Sequence, residues 1–478
     1  MKKKLLSILL STAMVATLLA GCGSNDNSSN TTTGTPDTSS NSSANSDAPA
    51  PAPVDLGDEI VELSVLNYID MSEAGAIEEL EVVWAAFEAA YPNIKINRFD
   101  EFEEAYHQSI EAYAAAGALP DVTYCWPSGR STTLHTQKLL KDLTPLAARD
   151  GLGSTYVPLA LDPFGQANNY LAMLPQGVTA TNMFIVNKEV LDAVGLTPAK
   201  TYSELAAQVP ILRDAGYECV IMPNLSEWVM QSCLYSLVIG RFMGEDWDER
   251  ILSGETNWTD PAVIASLNFI KQMYDDGVLA QASLALDYGE GPGRFATNGG
   301  AYYIDGDWRV GAFITDGTTG EALIDPSRQA NFEITVFPEI DLPGVAIPGR
   351  TNSAVLGTGW GMNANIESGS VKEEAAWTLI KWLVGKEVQE FRLRTGGIST
   401  PTRTDINFGA LTLEPLQVAL AGMGNDYDKA TVVVDGVFES PVFTPLNEGL
   451  QALGLGTMTA EEVANNVQAA FESWSASQ

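Results

Sequence analysis

YLAMLPQGVTATNMFIVN, residues Tyr170–Asn187, contains two short apolar runs, YLAML and MFIV, that are separated by Pro175 and Gly177. Proline removes a backbone donor and glycine admits unusual backbone angles, so one continuous central strand is not expected here. Two interpretations remain open. Either the chain leaves one sheet for another at this point, or it makes a strand–turn–strand unit inside one domain.

The residues that follow predict two helices. Asn187 is suited to cap the helix KEVLDAV, and Thr201-x-x-Glu204 has the spacing of a capping box for the next helix. The text TNMFIVNKEVLDAVGLTPAKTYSEL resembles the interlobe crossing of family 1 extracellular solute-binding proteins, the sugar receptors of ABC importers, which include the maltose-binding protein. The chain has Val186 where the family text has Tyr, and Tyr202 where it has Trp.

This resemblance implies an α/β fold of two lobes. Each lobe is a mainly parallel sheet flanked by helices, the lobes are joined by crossing hinge segments, and the ligand is held between them. By comparison with the family, residues 58–177 and 355–397 form the first lobe, and residues 178–354 and 398–478 form the second.

The amino terminus has the pattern of a targeting segment. Lys2–Lys4 precede an apolar core at Leu5–Ala20, which is short of the about 20 residues that a membrane span needs. Residues 1–22 end in LAGC, which resembles a bacterial lipobox and implies that Cys22 is lipidated. Residues 23–57 are rich in Ser, Thr, Asn and Pro, which predicts a disordered tether. We expect an extracytoplasmic protein anchored to the cell membrane; an uncleaved anchor or a plain secretory signal is the alternative.

The charge of the chain restricts its partners. The formal net charge is −35, and removal of the signal segment with its three lysines makes it −38. Nucleic acids and anionic membrane surfaces repel such a body, so we expect no nucleic-acid partner and membrane contact through the lipid alone. We expect a monomer whose partners are a solute and the permease subunits of an ABC transporter.

The remaining cysteines and the acidic clusters give no framework for a metal or a disulfide network. Cys125, Cys219 and Cys233 contain no CxxC spacing, which favours three buried thiols, although a Cys219–Cys233 bond stays open. The acidic groups Asp246–Glu249 and Asp426–Asp428 lack the spacing of an EF-hand, so surface acids are favoured over a calcium site. We expect no cofactor.

The first lobe has a clear alternating pattern. The strand patterns Val61–Asn67, Asn93–Asn97 and Val122–Trp126 alternate with two helix patterns, which predicts parallel strands with right-handed crossovers. In open sheets of this kind, ligands contact the loops beyond the carboxyl ends of the strands. The candidate ligand contacts are therefore Tyr68, Asp70, Asp100, Glu101, Trp126, Ser128 and Arg130.

A second motif lies at Phe295–Trp308, FATNGGAYYIDGDW, and resembles the family pattern F..G.AM...G.W. Asn298 and Tyr302 replace a Gly and the Met of that pattern. In relatives the closing Trp stacks on a sugar ring, so the resemblance implies that Trp308 contacts the ligand, with Asp307 beside it.

Further candidates come from the same comparison. Asn224, Glu227 and Trp228 follow an apolar run and are expected to face the cleft, and Arg350–Met362 is expected to recross to the first lobe and bring Trp360 near it. Sugars offer flat C–H faces that suit aromatic rings, and hydroxyls that suit planar polar groups. We expect the rings of Trp126, Trp228, Trp308 and Trp360 to supply the first, and Asp70, Glu101, Asp307, Arg130 and Glu227 to supply the second.

Catalysis has little support in the sequence. His107 and His135 are the only histidines, and the chain has no HExxH, GxSxG or Walker A motif. We therefore expect a binding protein for a carbohydrate, an oligosaccharide, rather than an enzyme. A pair of acids as in glycosidases has no local signature, so a secreted glycoside hydrolase stays an alternative. Receptors for a peptide, a polyamine or a phosphodiester, and an adhesion protein, are the others.

Overall fold

The computed structural model describes residues 55–71, 75–127, 129–161, 170–349 and 351–477. The predicted signal segment 1–22 with Cys22, residues 23–54 of the predicted tether, and Ser128 lie outside the described residues. Within the described ranges, no helix combines the length and the apolar character that crossing a membrane requires.

The strands form three sheets. In chain order they are β1 (Val61–Tyr68), β2 (Ile94–Glu101), β3 (Val122–Cys125), β4 (Met173–Pro175), β5 (Gly177–Ala180), β6 (Met183–Asn187), β7 (Glu218–Ile221), β8 (Gly300–Asp305), β9 (Phe332–Thr335), β10 (Thr351–Leu356), β11 (Gly359–Met362), β12 (Thr400–Pro401) and β13 (Lys429–Thr431).

The helices flank these sheets. Their bounds are Ala76–Glu79, Ala86–Ala90, Glu103–Ala116, Thr132–Thr136, Thr144–Arg149, Lys188–Ala193, Tyr202–Asp214, Trp228–Met230, Ser236–Met243, Trp247–Leu252, Pro261–Asp275, Gly291–Ala296, Val371–Leu383, Lys386–Thr395, Pro415–Met423, Val434–Val437, Ser440–Leu455 and Ala460–Ser475. Two π-helical segments, Leu80–Ala85 and Gln231–Tyr235, join neighbouring α-helices into longer rods.

The first lobe is built on a five-stranded sheet with the order β2-β1-β3-β11-β4. β1 pairs in parallel with both β2 and β3, whereas β11 is antiparallel to both β3 and β4. Four of the five strands therefore point the same way, and the predicted mainly parallel sheet is confirmed for this lobe.

The second lobe is built on a four-stranded sheet with the order β7-β8-β6-β9. β7 and β8 are parallel, and β6 is antiparallel to both β8 and β9. Each lobe thus has one reversed strand. That strand, β11 or β6, lies inside its sheet, where neighbours on both edges satisfy its backbone groups.

A third sheet, β12-β5-β10-β13, lies where the chain passes between the lobes. β4 belongs to the first lobe and β5 to this third sheet, and only Gln176 separates them. The strand that stops at Pro175 therefore resumes in a different sheet, which confirms the first of the two interpretations of this stretch. β12 follows the expected lobe boundary at 397/398 and pairs with β5 through Thr400 and Val178.

Two of the crossing segments touch backbone to backbone. Gly357 N donates to Gly177 O at 2.8 Å, and Gln176 N donates to Thr358 O at 3.0 Å. A Cβ atom at Gly357 would overlap the carbonyl group of Gly177, so only glycine permits this approach. The contact fixes the crossings as one unit.

The predicted helix caps are present. The side chains of Asn187 and Thr201 accept hydrogen bonds from the backbone N–H groups of Val190 and Glu204, at 3.2 Å each. Ser370 accepts one from Glu373 N at 3.1 Å and opens the helix Val371–Leu383. Each cap satisfies a donor that the first helical turn leaves without a partner.

The apolar cores divide in the same way as the sheets. One cluster of buried side chains draws its members from residues 61–174 and 360–391, and two others draw theirs from residues 180–467. Cys125, Cys219 and Cys233 are buried free thiols, as the sequence favoured. Burial raises the pKa of each thiol well above its usual range, so these cysteines pack as small apolar groups.

Candidate functional site

A cleft of about 1120 Å³ lies between the two lobes. Its lining comes from the carboxyl ends of the first-lobe strands, from the crossing segments, and from loops and helix ends of the second lobe. This volume slightly exceeds the ~300–1,000 Å³ that is typical of small-molecule sites, so the cleft can hold a ligand of several rings.

The first wall of the cleft is aromatic and is carried by strand ends. Tyr68 ends β1 and stacks on Tyr124 of β3, with ring centres 5.5 Å apart and an interplanar angle of 13°. Trp126 follows β3, and its ring stands nearly perpendicular to Tyr68 at 5.3 Å. Because β1 and β3 are parallel neighbours, their carboxyl ends bring these rings together.

The second wall is aromatic as well, but its rings lie in turns and at the start of a helix. Trp308 lies in the 3₁₀ turn Asp307–Ala312 directly after β8, and its Nε1 donates to the hydroxyl of Tyr288 at 2.7 Å. Trp228 lies 6.0 Å from Trp308 and 5.1 Å from Tyr288 between ring centres. Trp308 and Trp228 are both half-buried and both line the cleft.

Gly306 explains the spacing Gly-x-Trp in the second motif. A Cβ atom at this position would overlap the six-membered ring of Trp308. The indole therefore lies against the backbone of Gly306, and any larger residue displaces it. The motif encodes the orientation of the ring as well as its presence.

Arg130 reaches from the first wall to the second. Its Nε lies 2.9 Å from Asp435 Oδ2, and its guanidinium lies 5.7 Å from the ring centre of Trp228 and 6.0 Å from that of Phe443. His107 lies 3.0 Å from its Nη1. Burial and the neighbouring guanidinium lower the pKa of His107 to about 3, so the imidazole is neutral and accepts this hydrogen bond.

A second arginine crosses the cleft in the opposite direction. Arg309 of the second lobe is 1% exposed, and its Nη1 lies 3.3 Å from Asp70 Oδ2 of the first lobe. The same guanidinium lies 4.0 Å above the ring centre of Tyr288. The two lobes are thus joined across the cleft by two arginine–carboxylate pairs.

Asp307 lines the cleft but is 2% exposed, and its carboxylate is engaged within the protein. Oδ2 accepts from Ala180 N at 2.9 Å and from the hydroxyl of Ser399. Desolvation raises the pKa of Asp307 to about 7. Because Ala180 ends β5 and Ser399 precedes β12, the Asp307 side chain links two crossing segments. Its hydrogen bonds therefore support a structural role rather than the expected direct contact with the ligand.

Carboxylates are far more numerous than cations in the lining. Nine line the cleft: Asp70, Glu79, Glu103, Glu104 and Glu111 from the first lobe, and Glu227, Asp307, Asp435 and Glu439 from the second. The lining contains two arginines, Arg130 and Arg392. Arg392 is occupied by Glu79, at 2.8 Å from its Nη2.

Two predicted contacts are wrong. Trp360 is fully buried in the first-lobe core, where its ring meets the edges of Trp84 and Tyr124 at 5.6 and 5.2 Å. It lies on β11, an internal strand whose two faces are both covered. Glu101 ends β2, the edge strand of the sheet, and lies outside the lining of the cleft, which forms instead at the ends of β1 and β3.

Two less central candidates also lie outside the lining. Asn224 is fully buried, and its Nδ2 donates to Tyr274 and Ser283 at 3.2 Å each. Asp100 pairs with Arg98 at 2.6 Å on the outer surface of β2. The cleft does contain Tyr68, Asp70, Trp126, Arg130, Glu227, Trp228, Asp307 and Trp308.

Several lining residues were not predicted. Glu103 opens the helix that follows β2, so extending the strand-end rule by two residues would have found it. Tyr124 precedes Trp126 by two positions on a strand and shares its face. Tyr288 and Phe443 lie in segments without any motif, and their sequence neighbourhood gives no signal.

Neither histidine lies in a catalytic or metal-binding arrangement. His135 is buried in the short helix Thr132–Thr136, and its Nε2 lies 2.8 Å from the carbonyl oxygen of Trp126. Among the described residues, no group of three or more His, Cys, Asp or Glu side chains is placed to hold a metal ion.

Solved structures with the same fold are numerous. A chitin oligosaccharide binding protein superposes with a TM-score of 0.76 at 21% identity, over 88% of this chain and 100% of that one. A structure from a study of xylan utilization by Caldanaerobius polysaccharolyticus gives 0.75 at 19%, over 86% and 99%. The maltose/maltodextrin-binding domain of Bdellovibrio bacteriovorus bound to maltotriose gives 0.65 at 19%, over 87% and 99%. At these identities the likeness shows the fold.

The family follows from the sequence itself. No curated protein matches the chain. The family model for bacterial extracellular solute-binding proteins matches residues 74–390, which include most of the first lobe, residues 178–354 of the second lobe, the first two crossings and the Phe295–Trp308 motif. With two lobes, crossing strands and a cleft between them, the chain belongs to the bacterial extracellular solute-binding protein family.

Proposed function

We propose that this protein captures a carbohydrate, an oligosaccharide, between its two lobes and delivers it to an ABC importer. The observation that carries this proposal is the pair of aromatic walls that face the same cleft, one with Tyr68 and Trp126, the other with Trp228 and Trp308. Similar folds have been solved as a chitin oligosaccharide binding protein and with maltotriose bound, which supports the same ligand class here.

The chemistry of the walls suits a sugar. Covering ~50 Å² of apolar sugar face stabilises a complex by roughly 1 kcal/mol per ring at about 25 cal/mol per Å². Hydrogen bonds from ligand hydroxyls to charged groups such as Asp70, Arg130 and Glu227 add about 1.5–3 kcal/mol each. Three rings and a few such bonds are enough for micromolar affinity after the ordering cost of association.

Binding in this arrangement favours closure of the lobes. A ligand that touches both walls interacts more strongly with the closed state than with an open one, and it shifts the population by that difference. The pairs Arg130–Asp435 and Arg309–Asp70 already join the lobes, so ligand and protein contacts act in the same direction. The permease then distinguishes loaded from empty protein by shape.

We further propose that the protein is a monomeric lipoprotein whose Cys22 carries the anchor and whose residues 23–57 serve as the tether. The lobe boundaries at 177/178, 354/355 and 397/398 belong to the same proposal, and the division of the apolar cores supports them. Labelling with a radioactive or alkyne fatty acid tests the anchor, because Cys22→Ala should abolish incorporation.

A glycan panel tests the central proposal. Thermal-shift screening identifies an oligosaccharide that stabilises the protein, and isothermal titration then measures its affinity. Trp308→Ala should weaken that affinity by about 100-fold, which corresponds to ~2.7 kcal/mol and is typical of a central aromatic contact.

Trp474→Ala is the matched control. Trp474 is also half-buried, but it lies on the carboxyl-terminal helix, outside the lining of the cleft, and packs against Phe438 and Phe471. It should leave affinity unchanged. Equal affinities in the wild type and Trp308→Ala, or cleavage of the oligosaccharide during incubation, would contradict the proposal.

A further inference from the structure

The negative charge that lines the cleft is only partly neutralised by cations of the protein. Arginines meet three of its nine carboxylates, through the pairs Arg130–Asp435, Arg392–Glu79 and Arg309–Asp70. Among the described residues, Glu103, Glu104, Glu111 and Glu227 have no ion pair. His107, the one lining histidine, is neutral because of its lowered pKa. A purely neutral ligand would leave these carboxylates without a positive partner.

Two of these carboxylates lie at the aromatic corner of the cleft. Glu103 of the first lobe accepts a hydrogen bond from Ser226 of the second at 3.5 Å, and Ser226 is followed directly by Glu227 and Trp228. Burial, with Asp287 and Asp70 nearby, raises the pKa of Glu103 above its usual value. Partial desolvation and the neighbouring Glu448 also raise the pKa of Glu227. A cation beside Glu103 and Glu227 would stabilise their ionised forms and lower both pKa values.

The same corner already accepts a cation. The guanidinium of Arg130 lies over the rings of Trp228 and Phe443 and pairs with Asp435. Aromatic faces attract positive charge through their quadrupoles, by about 0.5–2 kcal/mol for each favourable contact. A ligand ammonium would meet the same combination of ring faces and carboxylates around Trp228.

An independent observation comes from the helix Ser440–Leu455. Asn447 lines the cleft one helical turn beyond Phe443, its side chain is 7% exposed, and its Oδ1 has no hydrogen-bond partner among the described residues. Such a buried acceptor without a donor is costly. An ammonium group offers three hydrogen-bond donors and no acceptor. Donors are what this amide oxygen and the carboxylates lack.

We propose that the ligand is a carbohydrate with a protonated amino group, an oligosaccharide of the amino-sugar class with free amines, and that Glu103, Glu227 and the ring of Trp228 receive the ammonium. This inference rests on the proposed carbohydrate function and goes beyond it by fixing the charge of the sugar. The carboxylates accept hydrogen bonds from the amine, and the aromatic walls cover the ring faces.

Paired probes test the charge directly. Glucosamine oligomers of three to five sugars and their fully N-acetylated counterparts share one backbone, but only the first carry protonated amines near pH 6. Titration calorimetry should show the glucosamine oligomers binding at least tenfold tighter. This preference should shrink as salt is added, since ions screen the partly exposed charges.

Single isosteric variants locate the effect. Glu103→Gln and Glu227→Gln should each weaken binding of the glucosamine oligomer by about tenfold and weaken binding of the N-acetylated probe much less, so that the preference between the two probes shrinks. Glu461→Gln, at an exposed position on the carboxyl-terminal helix, is the matched control and should change neither. Glu227 is exposed, so its variant stays informative even if the substitution at Glu103 disturbs folding.

The outcomes separate the two proposals. Tighter binding of the N-acetylated probes or of neutral glycans, or equal affinity for both members of a pair, overturns the assignment of an amino sugar and leaves the carbohydrate function standing. Failure of every glycan in a wide panel to bind overturns both.

Discussion

The two walls of the cleft reach a similar aromatic surface by different means. In the first lobe, Tyr68 and Tyr124 lie near the ends of adjacent parallel strands, and Trp126 follows directly after β3. Pairing of β1 with β2 and of β3 with β11 fixes the backbones of Tyr68 and Tyr124. In the second lobe, Trp228 begins a helix, Tyr288 and Trp308 lie in turns, and side-chain contacts fix the three rings.

This difference predicts how each wall responds to the loss of a single ring. Loss of one ring from the first wall leaves the strand ends and the remaining stacked rings in place. In the second wall each ring holds the next, as Tyr288 holds Trp308 through a hydrogen bond and Gly306 leaves room for the indole. A change beside the ring should therefore have nearly the effect of removing it.

Gly306→Ala gives the largest expected effect on ligand binding. The added methyl group must displace the Trp308 ring, so affinity for the oligosaccharide should fall by about 100-fold, close to the loss in Trp308→Ala. The stability should fall by about 1–3 kcal/mol in urea unfolding. Gly293→Ala is the control, because a Cβ atom there meets no atom within 4 Å. Normal affinity in Gly306→Ala would show that the orientation of the indole is unimportant.

Trp126→Ala gives a smaller expected effect. Tyr68 and Tyr124 remain stacked in this variant, so the first wall keeps most of its surface, and affinity should fall by about tenfold, or ~1.4 kcal/mol. Titration calorimetry against the same oligosaccharide measures the difference. A loss as large as that of Trp308→Ala would mean that the two walls respond alike and that the comparison is wrong.

Asp307→Asn gives the smallest expected effect on affinity, within about threefold, because its carboxylate is engaged with the crossing segments. Its effect is on the pH dependence of stability. Burial raises the pKa of Asp307 to about 7, so the folded state binds a proton that the unfolded state has released, and stability falls as the pH rises from about 4 to 7.

The slope that Asp307 contributes is at most about 1.4 kcal/mol per pH unit and should be absent in Asp307→Asn. Urea unfolding at several pH values compares the two proteins. Parallel stability curves would show that the carboxyl group is not desolvated.

The crossings and the first wall could be predicted from the sequence because local rules govern them. Pro175 and Gly177 disfavour one continuous strand through this stretch, and the carboxyl ends of parallel strands meet at one edge of a sheet. The second motif located Trp308 by its resemblance to the family, and Gly306 shows the physical reason for the spacing.

The remainder of the site depends on tertiary contacts that have no local signature. Trp360 and Trp308 each lie within two positions of a glycine, yet one lies on an internal strand and the other in the turn after a strand. Tyr288, Phe443 and Asn447 come from segments that only the folded second lobe brings to the cleft. Sequence alone could not separate core aromatic residues from exposed ones in either group.

The position of β11 affects the order of folding. This strand lies between β3 and β4 in the first-lobe sheet, although Gly359 follows Pro175 by 184 positions in the chain. The first sheet therefore stays incomplete, because β3 and β4 are both paired with β11 and β11 is made only after residues 178–354 of the second lobe. Long-range pairing of this kind is slow, because a large loop must close before any contact is gained. We therefore expect the first-lobe sheet to be completed late in a newly made chain.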